Sequence, residues 1–332
     1  QVRPDAAETL RYFAEQGVTI KVISGDNPTT VAAIAAEVGL DAGDPVDART
    51  LGDSAEDLAD AVATTTVFGR VSPQQKQAMV RALQDQGHVV AMTGDGVNDA
   101  LALKDADIGV AMGNGAPATR AAAQLVLLDG QFSRLPTVLA EGRRVIGNIE
   151  RVASLFISKN TYAFMLILLV SIAGLPYPFA PRHLTLISAV TIGIPAFALA
   201  FAPNTARYRP GFLRRVLSFA VPAGVISSLA IFSAYFLARL EDLSKVECQT
   251  AATIAALCVS LWILAVLARP YNRWKLALLG AMAAIAVAAI VIPPVRDFFE
   301  LSVPLSFLPQ ALAIGAVGAV GIEITGRLST RW

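Results

Sequence analysis

Residues 92–113 read Met-Thr-Gly-Asp-Gly-Val-Asn-Asp-Ala-Leu-Ala-Leu-Lys-Asp-Ala-Asp-Ile-Gly-Val-Ala-Met-Gly, and the reading of the whole chain turns on them. The run His88 to Met92 predicts a strand leading into this stretch, and Ile108 to Met112 predicts the next one. Between them Asp95 and Asp99 stand in a loop whose Gly94 and Gly96 permit a sharp turn. Carboxylates in such a loop are hard oxygen ligands, suited to Mg²⁺ held by one or two of them together with phosphate.

The same strand–loop–helix unit recurs upstream. Val18 to Ile23 is β-branched and apolar and ends in Ser24-Gly25-Asp26-Asn27-Pro28. Thr29 or Thr30 is expected to cap the following helix, whose apolar positions Val31, Ile34, Ala35 and Val38 recur at helical spacing before Gly39 closes it. Val67 to Val71 predicts another strand, followed by Ser72 as N-cap, Pro73 at the first helical position and Gln75 completing a capping box. That helix should run to Gly87. Strands alternating with helices at this spacing predict a parallel sheet covered on both faces.

Ligands of open α/β sheets bind beyond the carboxyl ends of the strands. Three segments fall there: Ser24-Gly25-Asp26, the region of Lys76, and Thr93 to Asp99. The Ser24 hydroxyl and Gly25 amide suit phosphoryl oxygens, and Lys76 suits developing negative charge. A single Gly-Asp after a strand is usually just a turn, and a single helical lysine is usually solvated. Asp105 and Asp107 are expected to be such bland cases, capping or facing water. The arrival of all three segments in order carries the argument.

Thr93-Gly94-Asp95-Gly96-Val97-Asn98-Asp99 resembles the magnesium-binding signature of P-type ATPases, ion pumps that phosphorylate themselves on an aspartate. The order of the three segments is similar to their haloacid-dehalogenase-like phosphorylation domain across nearly all of residues 1–150. The resemblance implies that Lys76, Ser24, Gly25, Asp26, Asn98 and Asp99 are catalytic and that Thr93 and Gly94 bind the cofactor. It further implies that Asp95 and Asp99 hold Mg²⁺ and that ATP is the substrate. No Asp-Lys-Thr-Gly-Thr segment, which carries the phosphorylated aspartate in that family, occurs in the 332 residues. The chain therefore resembles the C-terminal part of a pump. Its partner would be a missing N-terminal part holding the nucleophile and the nucleotide-binding domain, and alone it is expected to be inactive.

The remainder is apolar. Overall the chain is 55% hydrophobic, and the excess lies almost wholly after Glu150. A helical stretch beyond Phe132 passes Glu141, Arg143, Arg144 and Arg151 and enters the first of six apolar segments, at about 153–175, 184–202, 216–238, 250–268, 275–293 and 305–325. Each is long enough to cross roughly 30 Å of hydrocarbon as a helix. The sequence thus predicts an α/β Rossmann-like parallel-sheet domain over 1–150, followed by an all-α six-helix transmembrane domain over 151–332. Connections on the side of the first domain carry Arg207, Arg209, Arg214, Arg215, Arg269, Arg273, Lys275, Arg327 and Arg331. The opposite connections carry only Arg182, Arg239, Lys245 and Arg296, with most of the acids. The positive-inside rule then predicts a multi-pass protein of the plasma membrane with the α/β domain in the cytoplasm. Six helices after the phosphorylation domain is also the layout of calcium-pump-like members of the family.

Polar groups inside these spans mark a candidate transport site. Lys159 and Asn160 lie in the first, Ser188 and Thr191 in the second, followed by Gly193 and Pro195. Set against the calcium pump, Asn160, Ser188 and Thr191 fall on ion-ligating positions, whereas Ala163 and Ile192 replace a ligating Glu and Asp. Lys159 has two open readings, a lysine snorkelling to the interface and an internal counter-charge. Asn160 has the alternative of an interhelical hydrogen bond, and Ser188 and Thr191 that of bonding their own helix carbonyls. Residues 159–195 are most similar to a bacterial branch of calcium-transporting ATPases, so the implied ion is calcium.

A net charge of +1 and the absence of a basic run with interleaved aromatics give no sign of nucleic acid as a partner. Cys248 and Cys258 form no metal-ligand spacing. The expected partners are a transported cation, the lipid bilayer and the rest of the pump. Two other readings stay open: a non-catalytic membrane subunit that regulates or binds while retaining the fold, and a membrane-anchored phosphatase. The joint presence of Lys76, Asp95 and Asp99 counts against the first, and the lack of an aspartate nucleophile on the first strand counts against the second.

Overall fold

The computed structural model describes residues 5–52, 55–202 and 209–329. It divides into two compact units, residues 1–140 and 141–332. Arg207 and Arg331, two of the basic residues counted above, lie outside the described residues.

The first unit is built of helices α1 (Ala6–Glu15), α2 (Pro28–Glu37), α3 (Ala55–Thr64), α4 (Pro73–Asp85), α5 (Ala100–Asp105) and α6 (Pro117–Ala122). Between them run strands β1 (Val22–Ile23), β2 (Val46–Asp47), β3 (Val67–Gly69), β4 (Ala91–Gly94), β5 (Ile108–Met112) and β6 (Leu125–Leu127). All pairings are parallel, as the alternation predicts, but they form two three-stranded sheets, ordered β1-β3-β2 and β4-β5-β6. Alternation along the strands clothes each sheet on two faces. Val67 joins Val22 against Val31 and Ala35 of α2, whereas the next residue, Phe68, joins Ile23 against Met79 of α4 and Val62 of α3. In the second sheet Met92 packs with Val80 of α4 and Ala102 of α5, and Val110 and Met112 pack with Leu127 and Phe132. Helix α4 therefore covers both sheets, with Met79 on one and Val80 on the other.

Two local expectations shift. Helix α2 starts at Pro28 and is capped by Asn27, whose Oδ1 accepts the Thr29 amide at 3.0 Å, so neither Thr29 nor Thr30 is the cap. Proline at the first helical position moves the cap one residue upstream. Of the apolar run 18–23 only Val22 and Ile23 enter the ladder, and β4 begins at Ala91 rather than His88, because each strand has a neighbour on one side alone among the described residues.

Six helical stretches among the described residues are long and apolar enough to cross a membrane, the first beginning before residue 141 and the other five within the second unit: Phe132–Ile172, Pro181–Ala200, Phe212–Leu240, Lys245–Leu267, Arg273–Val291 and Leu308–Ser329. The first is continued by α7 (Leu135–Ile172). The second is α8 (Pro181–Ser188), a π turn (Ala189–Gly193) and α9 (Ile194–Ala200). Then come α10 (Phe212–Leu240), α11 (Lys245–Leu267), α12 (Arg273–Val291), a short α13 (Pro293–Phe298) and α14 (Leu308–Ser329). Residues 141–150 cluster with this unit because Asn148 donates to the Ala200 and Ala202 carbonyls and Glu150 takes both forks of Arg215 at 3.0 and 3.1 Å. Close helix approach rests on small residues. A Cβ at Gly315 of α14 would lie 2.6 Å from the Cys258 Cβ of α11. Helix α11 is the most enveloped span, with Ile254, Leu257, Val259, Ile263 and Leu264 all buried.

Candidate functional site

Ser72 fixes the first turn of α4: its Oγ accepts the Gln75 amide at 3.2 Å while the Gln75 Oε1 accepts the Ser72 amide at 3.0 Å. That reciprocal cap sets the direction of the next residue, Lys76, which is 8% exposed. Its ammonium donates to Asp99 Oδ1 at 2.6 Å, and Asp99 is equally buried. Two charges removed from water hold together only as a pair with their remaining groups bonded. The other carboxylate oxygen, Oδ2, accordingly accepts the Gly96 amide at 3.2 Å. Both oxygens of Asp99 are thus engaged, and Asp99 is the counter-ion of Lys76 here.

Asp95 differs. It is exposed in the loop that leaves β4, with Thr93 and Asn98 exposed beside it and Gly94 half-buried. The loop is held from the far side by α6. The Ala116 amide donates to the Asp95 carbonyl at 2.9 Å, and the fully buried Thr119 hydroxyl donates to the Gly96 carbonyl at 2.7 Å. This clamp was not foreseen from the sequence. Its one local signal is Pro117, which marks a helix start after Gly113-Asn114-Gly115. A carboxylate in water on a backbone fixed by its neighbours fits Mg²⁺ shared with phosphoryl oxygens.

The third segment follows β1. The Asp26 amide donates to Ser24 Oγ at 3.2 Å, while the Arg70 and Val71 amides donate to the Asp26 and Ser24 carbonyls at 2.7 and 3.0 Å. The turn before α4 is therefore tied to this loop by backbone bonds. Gly25 and Asp26 are exposed and Ser24 is half-buried. Among the described residues, no hydrogen bond or ion pair joins the Ser24 or Asp26 side chains to Lys76, Asp95 or Asp99. Asp105 and Asp107 bond across to neighbouring elements, rather than only capping or facing water. Asp105 accepts from Gln77 and Arg81 of α4, and Asp107 from the Val90 amide and Gln84.

The candidate transport residues are placed unequally. Thr191 is buried in the π turn and its hydroxyl donates to its own helix carbonyl, Ile187, at 2.7 Å. Pro195 has no N–H to return to the Thr191 carbonyl, and the helix widens just before it. Ser188 and Lys159 are half-buried, and Asn160 is exposed on α7. No hydrogen bond joins these four to one another among the described residues. Ile192, standing where a carboxylate is expected from the resemblance, is packed in the core.

The fold and the paired Lys76–Asp99 define a parallel-sheet α/β domain of the haloacid-dehalogenase-like class, followed by six candidate membrane spans. Residues 1–107 match the family described as haloacid dehalogenase-like hydrolase, and residues 176–327 match the family described as cation transporting ATPase, C-terminus. Calcium-transporting ATPase CtpE of Mycobacterium bovis is 52% identical over 97% of this chain and 42% of its own length. The protein of the same name from Mycolicibacterium smegmatis is 48% identical over 98% of the chain and 43% of its length. The calcium-transporting ATPase of Bacillus subtilis is 38% identical over 59% of the chain and 23% of its length. Its homologues over these regions are cation-transporting P-type ATPases. It spans less than half the length of the curated relatives it matches.

Proposed function

We propose that these residues form the C-terminal part of an ATP-driven cation pump of the plasma membrane, with the first unit cytoplasmic and calcium as the transported ion. The observation that carries this is the buried 2.6 Å pair of Lys76 and Asp99 beneath a loop that leaves Asp95 in water. Phosphoryl transfer needs little covalent chemistry from a protein and much positioning and charge neutralisation.

In this reading Lys76, oriented by Asp99, presents its cation to the phosphoryl oxygens. Ser24 and the Gly25 amide hold those oxygens from the β1 side, and Thr93, Gly94 and Asn98 line the β4 side. Asp95 holds Mg²⁺. The metal, when bound, neutralises charge on the transferring group. Strands β1 and β4 each have an edge unpaired among the described residues, and in this reading the strand carrying the phosphorylated aspartate pairs with them. In the membrane, the widened turn at Thr191 and the polar Asn160, Ser188 and Lys159 supply the ion path. Calcium is supported by the names of the relatives, although Ala163 and Ile192 remove charge that a divalent ion needs.

Phosphoenzyme formation in the complete pump tests the reading. With radiolabelled ATP, Asp95→Ala should lower the Mg²⁺-dependent phosphoenzyme by at least about a hundredfold, the cost of removing one preorganised electrostatic group. Phosphorylation at the wild-type level would remove Asp95 from the metal site.

A further inference from the structure

The second unit contains a groove of about 780 Å³ along α14, walled by α11 and α12. Leu312, Ala316 and Ala319 of α14 form its floor, with Leu261 and Ala265 of α11 and Ala283 of α12 as walls. From Leu312 to Arg327 the floor rises for roughly 22 Å, more than one leaflet of a bilayer core of about 30 Å. The lining is apolar except at one end, where Glu323 and Arg327 close it.

That end is a built polar cluster. Arg269 donates to both oxygens of Glu323 at 3.0 and 2.8 Å, and Arg327 adds a third bond at 2.9 Å. Arg269 also lies over the Tyr271 ring and donates to the Tyr271 hydroxyl, which in turn donates to the Ala265 carbonyl in the groove wall. Two guanidiniums share one carboxylate, and exposed Arg273 follows four residues after Arg269 in the chain, at the start of α12. The bonded cluster carries a surplus of one positive charge, and Arg273 adds a second nearby in the chain. Tyr271 and Trp274, both exposed, mark the same level as the interfacial belt where headgroups lie.

We propose that this groove binds one phospholipid with an anionic headgroup, its acyl chain along Ala316 and Ala319 and its phosphate against Arg269, Arg273 and Arg327. Apolar slots ending in basic residues at the headgroup level select anionic lipids by charge. A second copy of the chain is disfavoured as the occupant, because a two-fold contact brings the same arginines against each other. The inference needs the six spans to lie in a membrane and does not depend on the pump chemistry.

The test is native mass spectrometry of the chain released from nanodiscs holding equal amounts of phosphatidylglycerol and phosphatidylcholine. The wild type should retain one phosphatidylglycerol in preference to phosphatidylcholine. Arg273→Gln, which leaves both Glu323 pairs in place, should lower that preference by about fivefold. Ala316→Phe, which fills the groove and spares the cluster, should lower retention of both lipids. Equal retention of the two lipids by the wild type, or an Arg273→Gln preference equal to wild type, would overturn the proposal. So would a dimer that Ala316→Phe dissociates.

Discussion

A methyl group added at position 94 would lie 2.6 Å from Asp99 Oδ2 and 2.7 Å from its Cβ, whereas one added at position 25 would meet its nearest atom, the Val71 carbonyl oxygen, only at 4.0 Å. The two glycines are thus present for different reasons. Gly94 makes room for the carboxylate that holds Lys76, and Gly25 leaves backbone open to whatever approaches from solvent. Gly94→Ala should destabilise the first unit by about 1–3 kcal/mol through overpacking, read as a lower unfolding midpoint. Gly25→Ala should leave the midpoint unchanged while reducing phosphoenzyme in the complete pump. A midpoint unaffected by Gly94→Ala would mean that Asp99 has another resting place. The distinction could not be read from the sequence, where both residues are simply glycines in loops after strands.

At the scale of elements, the tie between α4 and the α5 region depends on Asp105 and Asp107. Hydrogen bonds from Gln77 and then Arg81 hold the Asp105 carboxyl below its usual 3.8, and bonds from the Val90 amide and Gln84 do the same for Asp107. Groups depressed in the folded state contribute stability that is present above their unfolded value and lost as pH falls through the folded one. Exchange protection of the α4 amides, corrected for intrinsic rates, should therefore decline as pH drops below about 4. Protection unchanged down to about pH 3 would contradict the assignment of these two carboxylates as clamps.

The elements also show what the sequence made legible. Strand β5 lies at Ile108–Met112 as read, since its apolar run pairs on both sides, and the Ser72–Gln75 cap is a short-range pattern. The bonds from Ala116 and Thr119 to the Asp95 loop were invisible because they join residues about twenty positions apart. The pairing of Asp99 with Lys76 was invisible for the same reason: spacing shows a carboxylate, and only packing shows its partner. In the membrane unit the six spans were plain from hydropathy. The π turn at Thr191 was signalled by Pro195 but not its form.

For the whole molecule, two kinds of architecture lie on one chain: a parallel-sheet α/β unit with a buried Lys76–Asp99 pair, and six apolar helices. Neither unit explains the other by itself. A phosphoryl site alone is compatible with a hydrolase, and six spans alone with many membrane proteins. Their joint presence, together with relatives named calcium-transporting ATPases, is what supports the pump proposed above. The most direct test is ATP-driven calcium uptake into inverted membrane vesicles bearing the complete pump, compared with its Asp95→Ala variant. Uptake that requires ATP and Mg²⁺ and disappears in the variant is the predicted result. Equal uptake by the two, or no ATP-driven uptake of calcium by the wild type, would contradict it.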